Sequence, residues 1–70
     1  MGLTDVFRIV EYWCPNKNEA FVQGTFEGDA EACAEFIGYG VSAENVKENH
    51  FLAFGDVEYV IHPYRNGVWV

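Results

Sequence analysis

Apolar residues between positions 6 and 13 are dense and of one kind: Val6, Phe7, Ile9, Val10, Tyr12 and Trp13 are all β-branched or aromatic. Such side chains pack well on a pleated surface, so the pattern predicts a strand over 4–13. One parity carries Phe7, Ile9 and Trp13, the other Val6, Arg8, Val10 and Tyr12. Phe7 and Ile9 are read as the inward pair. The cluster Cys14-Pro15-Asn16-Lys17-Asn18 has turn chemistry. A second strand is expected over 19–26, paired with the first as an antiparallel hairpin. Its alternation sets Ala20, Val22, Gly24 and Phe26 on one face and Glu19, Phe21, Gln23 and Thr25 on the other.

The period then changes. Ala30, Cys33, Ala34 and Ile37 fall at i, i+3, i+4 and i+7, a single helical stripe. Asp29 stands where a side chain can cap free backbone N–H groups, and Glu31 adds negative charge at the positive end of the helix dipole. Gly38-Tyr39-Gly40 closes the helix, because glycine reaches left-handed backbone angles without steric cost. The small side chains at 30, 33 and 34 predict close packing on a sheet. Positions 42–49 fit either one short turn capped by Ser42 or a loop. Phe51–Phe54, Gly55-Asp56 and Val57–His62 then read as a hairpin with a two-residue turn. Asn66-Gly67 signals another turn before Val68-Trp69-Val70, and Pro63, which cannot donate to a ladder, marks an edge or a break. The expectation is one α+β domain over 1–70: an antiparallel sheet of four to five strands with one helix on one face, in the order ββαβββ.

Seventy residues are enough for one core and no more. A core this small supplies roughly 3–5 kcal/mol of net stability, so it usually has a supplement. Here the supplement is aromatic: six Phe, four Tyr and two Trp. Each can bury roughly 150–250 Å². With half the residues hydrophobic, a disordered chain is excluded.

Charge narrows the function further. Eleven acidic residues against four basic ones leave a formal charge of −7. Direct contact with nucleic acid or anionic lipid relies on clustered Lys and Arg, so neither is expected as a partner. A basic protein is, unless the charge serves only solubility. No apolar run reaches the length of a membrane span. Met1–Val6 lacks the flank and run of a secretory signal, and Val6 stands where a myristoylation signal has Ser or Thr. The cytoplasm is the expected compartment.

Little in the chain points to catalysis. Cys14, Cys33, His50 and His62 make a Cys₂His₂ set by count, but their gaps of 19, 17 and 12 residues lack the close pairs of structural zinc sites. Cys33 also lies on the apolar stripe, where cysteine behaves as a small hydrophobe. There is no nucleophile elbow, phosphate-cradling glycine loop or His-Glu-x-x-His motif. The expectation is no enzyme, no cofactor and no metal. What remains is the base-free stretch between Lys17 and Lys47, which holds Glu19, Glu27, Asp29, Glu31, Glu35 and Glu44. Asp29 and Glu31 are explained by the helix N-terminus. Glu35 is not: it lies one turn beyond Glu31 with no lysine beside it, a like-charge pair that costs a few tenths of a kcal/mol. Glu27, Asp29, Glu31, Glu35, Glu44 and the aromatic Tyr39 are therefore the candidate partner-binding residues. A row of carboxylates at that spacing can imitate successive phosphates.

The length, the 29–37 helix between strand pairs, and the acids Glu27, Asp29, Glu31 and Glu35 together resemble the small phage-encoded anti-CRISPR inhibitors. The resemblance covers the whole chain in architecture and rests on no signature motif. It implies a protein that coats a basic surface of a CRISPR effector in the host cytoplasm and keeps target DNA out. From the residues alone there is also a competing expectation. An exposed strand edge and surface aromatics (Tyr39, Tyr64, Trp69 and one of Tyr12 or Trp13) would serve dimerisation or docking in a small structural or assembly protein.

Overall fold

The computed structural model describes residues 5–70. Thr4, the first residue of the expected strand, and most of the segment read for targeting signals lie outside them. Five strands form the scaffold: β1 (Phe7–Asn16), β2 (Glu19–Gly28), β3 (Phe51–Phe54), β4 (Val57–Arg65) and β5 (Val68–Trp69). Two helices, α1 (Ala30–Ile37) and α2 (Ala43–Glu48), lie between β2 and β3. The sheet is antiparallel in the order β2-β1-β4-β3, with β5 paired to the end of β4. The α+β class holds, and the order ββαβββ gains one short helix.

Each element has a local cause. Asp29 caps α1, its side chain accepting from the Ala32 N–H at 2.9 Å. Gly38 ends the helix at φ +74°. All four residues of the anticipated stripe are buried: Ala30, Cys33, Ala34 and Ile37. The ambiguous stretch after 42 is helical because Ser42 and Asn45 form a capping box. The Asn45 N–H donates to Ser42 Oγ at 3.2 Å, and the Ser42 N–H to Asn45 Oδ1 at 3.0 Å. Val46 then anchors α2 in the core. At Asn66-Gly67 both residues have positive φ, as a two-residue hairpin of this hand requires.

Two strand expectations need correction. The turn cluster at 14–18 shrinks to Lys17-Asn18, because β1 continues through Cys14 and Pro15 to Asn16. It does so with a register irregularity between Trp13 and Asn16, the kind of site that tolerates proline in a strand. In β2, Gly24 pairs with Glu11 but Val22 pairs with Tyr12, which leaves Gln23 as an extra, bulged residue. A one-residue insertion reverses the parity of everything beyond it. Phe21 therefore shares the face of Gly24 and Phe26, against Trp13 at a ring distance of 5.7 Å, and Val22 moves to the other face.

Pro63 is buried opposite Phe7, beyond the span of β4 that β3 covers, Val57–Val60. There β4 lacks its β3 neighbour, so the missing N–H costs no bond on that side.

The core lies between the sheet and the helices. Phe7, Ile9, Tyr59 and Ile61 supply the sheet side and Cys33, Ile37 and Val46 the helical side. Aromatic rings extend it in a continuous run. Phe26 stacks on Phe36 at 5.2 Å, Phe36 meets Tyr59 edge-on at 6.4 Å, and Tyr59 meets Phe54 at 6.2 Å. Tyr39 closes the run, stacked on Phe54 at 4.5 Å. Aromatic pairs add about 0.5–1.5 kcal/mol each beyond area burial, a large share for so small a core.

Candidate partner-binding surface

The two faces of the sheet carry different chemistry. The helical layer holds most of the anticipated binding residues. Asp29 at the cap of α1 and Glu31 and Glu35 within it are exposed, and Glu44 is exposed on α2 with Glu48. Glu31 and Glu35 lie on the side of α1 away from its buried stripe, as neighbours four residues apart. Tyr39, in the link between the helices, has φ +55° and is 61% exposed. One ring face is stacked on Phe54 and the ring also meets Tyr59 edge-on at 6.4 Å.

Glu27 does not belong to this group. It pairs in register with Arg8 on the opposite face of the sheet, where Arg8 Nη2 approaches Glu27 Oε2 at 2.6 Å and Nε donates to the same oxygen at 2.7 Å. Its charge is matched locally. Arg8 in turn lies under the Trp69 ring, 4.3 Å from the centroid. The base-free character of the acidic stretch is also modified in space. Lys47, just beyond that stretch in sequence, lines one shallow depression of about 250 Å³ together with Asp5, Asp29 and Glu31. Glu31 and Asp29 thus have Lys47 beside them, whereas Glu35, one turn farther along α1, lies outside that depression.

Tyr59 and Glu11 form a polar pair that the sequence patterns did not reveal. The Tyr59 hydroxyl donates to Glu11 Oε2 at 2.6 Å. The residues are 48 apart in sequence but directly opposite in the β1–β4 register, so only the pairing of distant strands brings them together. Burial raises the Tyr59 pKa above its ordinary 10.0, and the hydrogen bond to Glu11 and the Glu11 charge add to the rise.

The thiols are unbonded to each other. Burial pushes the Cys33 thiol up to about 11, with the Asp29 charge adding to the effect. Its Sγ donates to the Gly28 and Phe7 carbonyls at 3.5 and 3.7 Å. The Cys14 thiol is also raised, first by desolvation and then by a hydrogen bond to Glu58 and the charges of Glu58 and Asp56. Since the thiolate is the reactive form, both should be sluggish near neutral pH. Titration with a thiol reagent should find Cys33 protected in the native protein and both thiols reactive in denaturant. Rapid native modification of Cys33 would contradict this placement.

The same shifts give a pH dependence. A group whose pKa is higher folded than unfolded stabilises the fold fully below the unfolded value, and that contribution is lost as pH rises toward the folded one. For Cys33 the loss runs from about 9.0 to about 11. For Tyr59 it begins near 10.0. Urea midpoints should therefore fall above pH 9, and Tyr59→Phe, which has no phenolic proton to lose, should show a shallower fall above pH 10. Equal slopes for the two proteins would exclude Tyr59 as a contributor.

No protein-family model, curated protein or solved structure matches this chain. Among the described residues, no helix is long and apolar enough to cross a membrane.

Proposed function

We propose that this chain is a non-catalytic inhibitor that docks the acidic helical layer onto a basic, nucleic-acid-binding protein and excludes the nucleic acid. The supporting observation is the distribution of charge. Asp29, Glu31, Glu35 and Glu44 stand exposed on the helical side, with Lys47 beside the first two. Of the carboxylates on the far side of the sheet, Glu27 and Glu58, the first is matched by Arg8. Carboxylates on a rigid, capped helix present negative charge at fixed spacing and lose little entropy on docking, which suits a cationic groove. Tyr39 supplies a rigid amphipathic contact beside them. The anti-CRISPR resemblance gives the partner a concrete form, a CRISPR effector whose DNA channel is lined with Lys and Arg.

A salt-graded capture from nuclease-treated lysate of a candidate bacterial host tests this. The protein should retain a basic nucleic-acid-binding protein at low salt and release it at high salt, because exposed charge attraction is screened over about 10 Å at 0.1 M salt and about 3 Å at 1 M. Retention that is indifferent to salt would point to a hydrophobic contact instead.

A further inference from the structure

The sheet face opposite the helices carries a second surface, and strand register maps it row by row. Phe51 pairs with Val60, Val60 with Val10, and Val10 with Thr25, so one uncharged row crosses all four strands. On one side lies the row Ala53, Glu58, Tyr12, Val22. On the other lie His62, Arg8 and Glu27, with Trp69 over Arg8. A solvated face of an antiparallel sheet normally alternates to polar residues. Here Val22 is 62% and Phe51 51% exposed, and Val10, Val60 and Tyr12 are only half-buried.

We infer that this face is the interface of a symmetric dimer, two copies packing sheet against sheet about a two-fold axis that runs along the Phe51–Val60–Val10–Thr25 row. Charge complementarity identifies the occupant as a second copy. That axis sets Val10, Val60 and Phe51 against themselves and reverses the flanking rows. His62, whose Nδ1 already meets its own Val70 carbonyl at 2.9 Å, then faces the partner subunit's Glu58. Arg8 with its Trp69 faces the partner subunit's Tyr12, and Glu27 faces the partner subunit's Val22. A highly basic partner would meet only two carboxylates here, Glu58 and Glu27, and the second is already matched by Arg8. Area agrees. The molecule is a slab of 44 × 26 × 17 Å. The largest face of that envelope is on the order of 1,000 Å², an upper limit that leaves room for the about 800 Å² per partner of a specific interface.

The net charge of −7 does not oppose this pairing. Packed sheets stand about 10 Å apart and the helices lie outside them, so the acidic layers are separated by well over the Debye length of about 8 Å. The dimer would present two acidic faces pointing outward. It stands independently of the proposed inhibitory role.

Sedimentation of the wild-type chain, with Val10→Glu and Val10→Lys variants, tests the inference. The wild type should have twice the mass of one chain at about 100 µM, in both about 0.1 M and about 1 M salt. Each variant sets like charges face to face and should dissociate on the order of 100-fold more readily. Mixing the two should restore the dimer, since each Glu then meets a Lys. Circular dichroism checks that the variants fold. If they do not, Phe51→Glu and Phe51→Lys, at a half-exposed edge position that also faces itself, take their place. A wild type that stays monomeric, a folded variant that still dimerises, or a mixture that stays monomeric would each overturn the inference.

Discussion

Replacing both Glu31 and Glu35 by lysine should abolish binding to a basic partner while leaving the fold nearly intact. Both side chains are exposed on α1, away from its buried stripe, and exposed charges of this kind contribute about 0–1 kcal/mol to stability. Of two small effects on the helix, the first cancels and only the second is a cost. The like-charge repulsion between Glu31 and Glu35 is replaced by another of similar size, and Glu31→Lys puts a positive charge in the first turn, against the dipole. The expected cost is under about 1 kcal/mol, a few degrees in Tm for a domain of this size. Across an interface the same change converts two attractions into two repulsions. Affinity should fall at least about 100-fold, with much of the loss in the association rate at low salt. Thermal unfolding measured beside partner affinity, with Trp69→Ala as comparison, separates the outcomes. Affinity unchanged by charge reversal but lost in a folded Trp69→Ala protein would favour a hydrophobic docking surface over an acidic one.

The largest effect on stability is expected at Tyr59. Its ring is buried, meets Phe36, Phe54 and Tyr39 edge-on, and carries the hydrogen bond to Glu11. Truncating a large buried aromatic side chain costs about 3–5 kcal/mol, comparable with all the net stability of a core this small. Tyr59→Ala should therefore be largely unfolded at room temperature, seen as loss of cooperative thermal unfolding. Tyr59→Phe keeps the packing and loses only the hydroxyl, so it should fold, less stable by about 1.5–3 kcal/mol for a bond to a charged group. A cooperatively folded Tyr59→Ala protein would show that the aromatic run does not hold the core together.

The parts of this fold that were legible in the sequence are those with local causes. The 30/33/34/37 stripe, the Asp29 cap, the Gly55-Asp56 turn and the Asn66-Gly67 turn each follow from a few adjacent residues, and the structure has all four. α2 was legible only as an option, because Ser42 signals a cap but the reciprocal bond from the Ser42 N–H to the Asn45 side chain depends on geometry. The bulge at Gln23 was not legible. It arises between paired strands, and it reversed the expected faces of Phe21 and Val22.

The surface shows the same division. The Glu31–Glu35 pair follows from helical spacing alone. The Arg8–Glu27 pair, 19 residues apart, depends on register, as does Tyr59–Glu11. Lys47 reaches the acidic group only through the way α2 lies against α1. The charge of a segment is read from its residues, but its compensation is a property of the fold.

The most direct test of the acidic surface is competition for nucleic acid. A captured basic partner is first loaded with a labelled oligonucleotide of the kind it binds, and the wild-type protein and the folded Glu31→Lys, Glu35→Lys double variant are titrated in. If the acidic helical layer stands in for phosphates, the wild type should displace the oligonucleotide, and displacement should weaken steeply with salt. The double variant should displace none over the same range. Equal displacement by both proteins, or a ternary complex in which the oligonucleotide stays bound, would contradict the account.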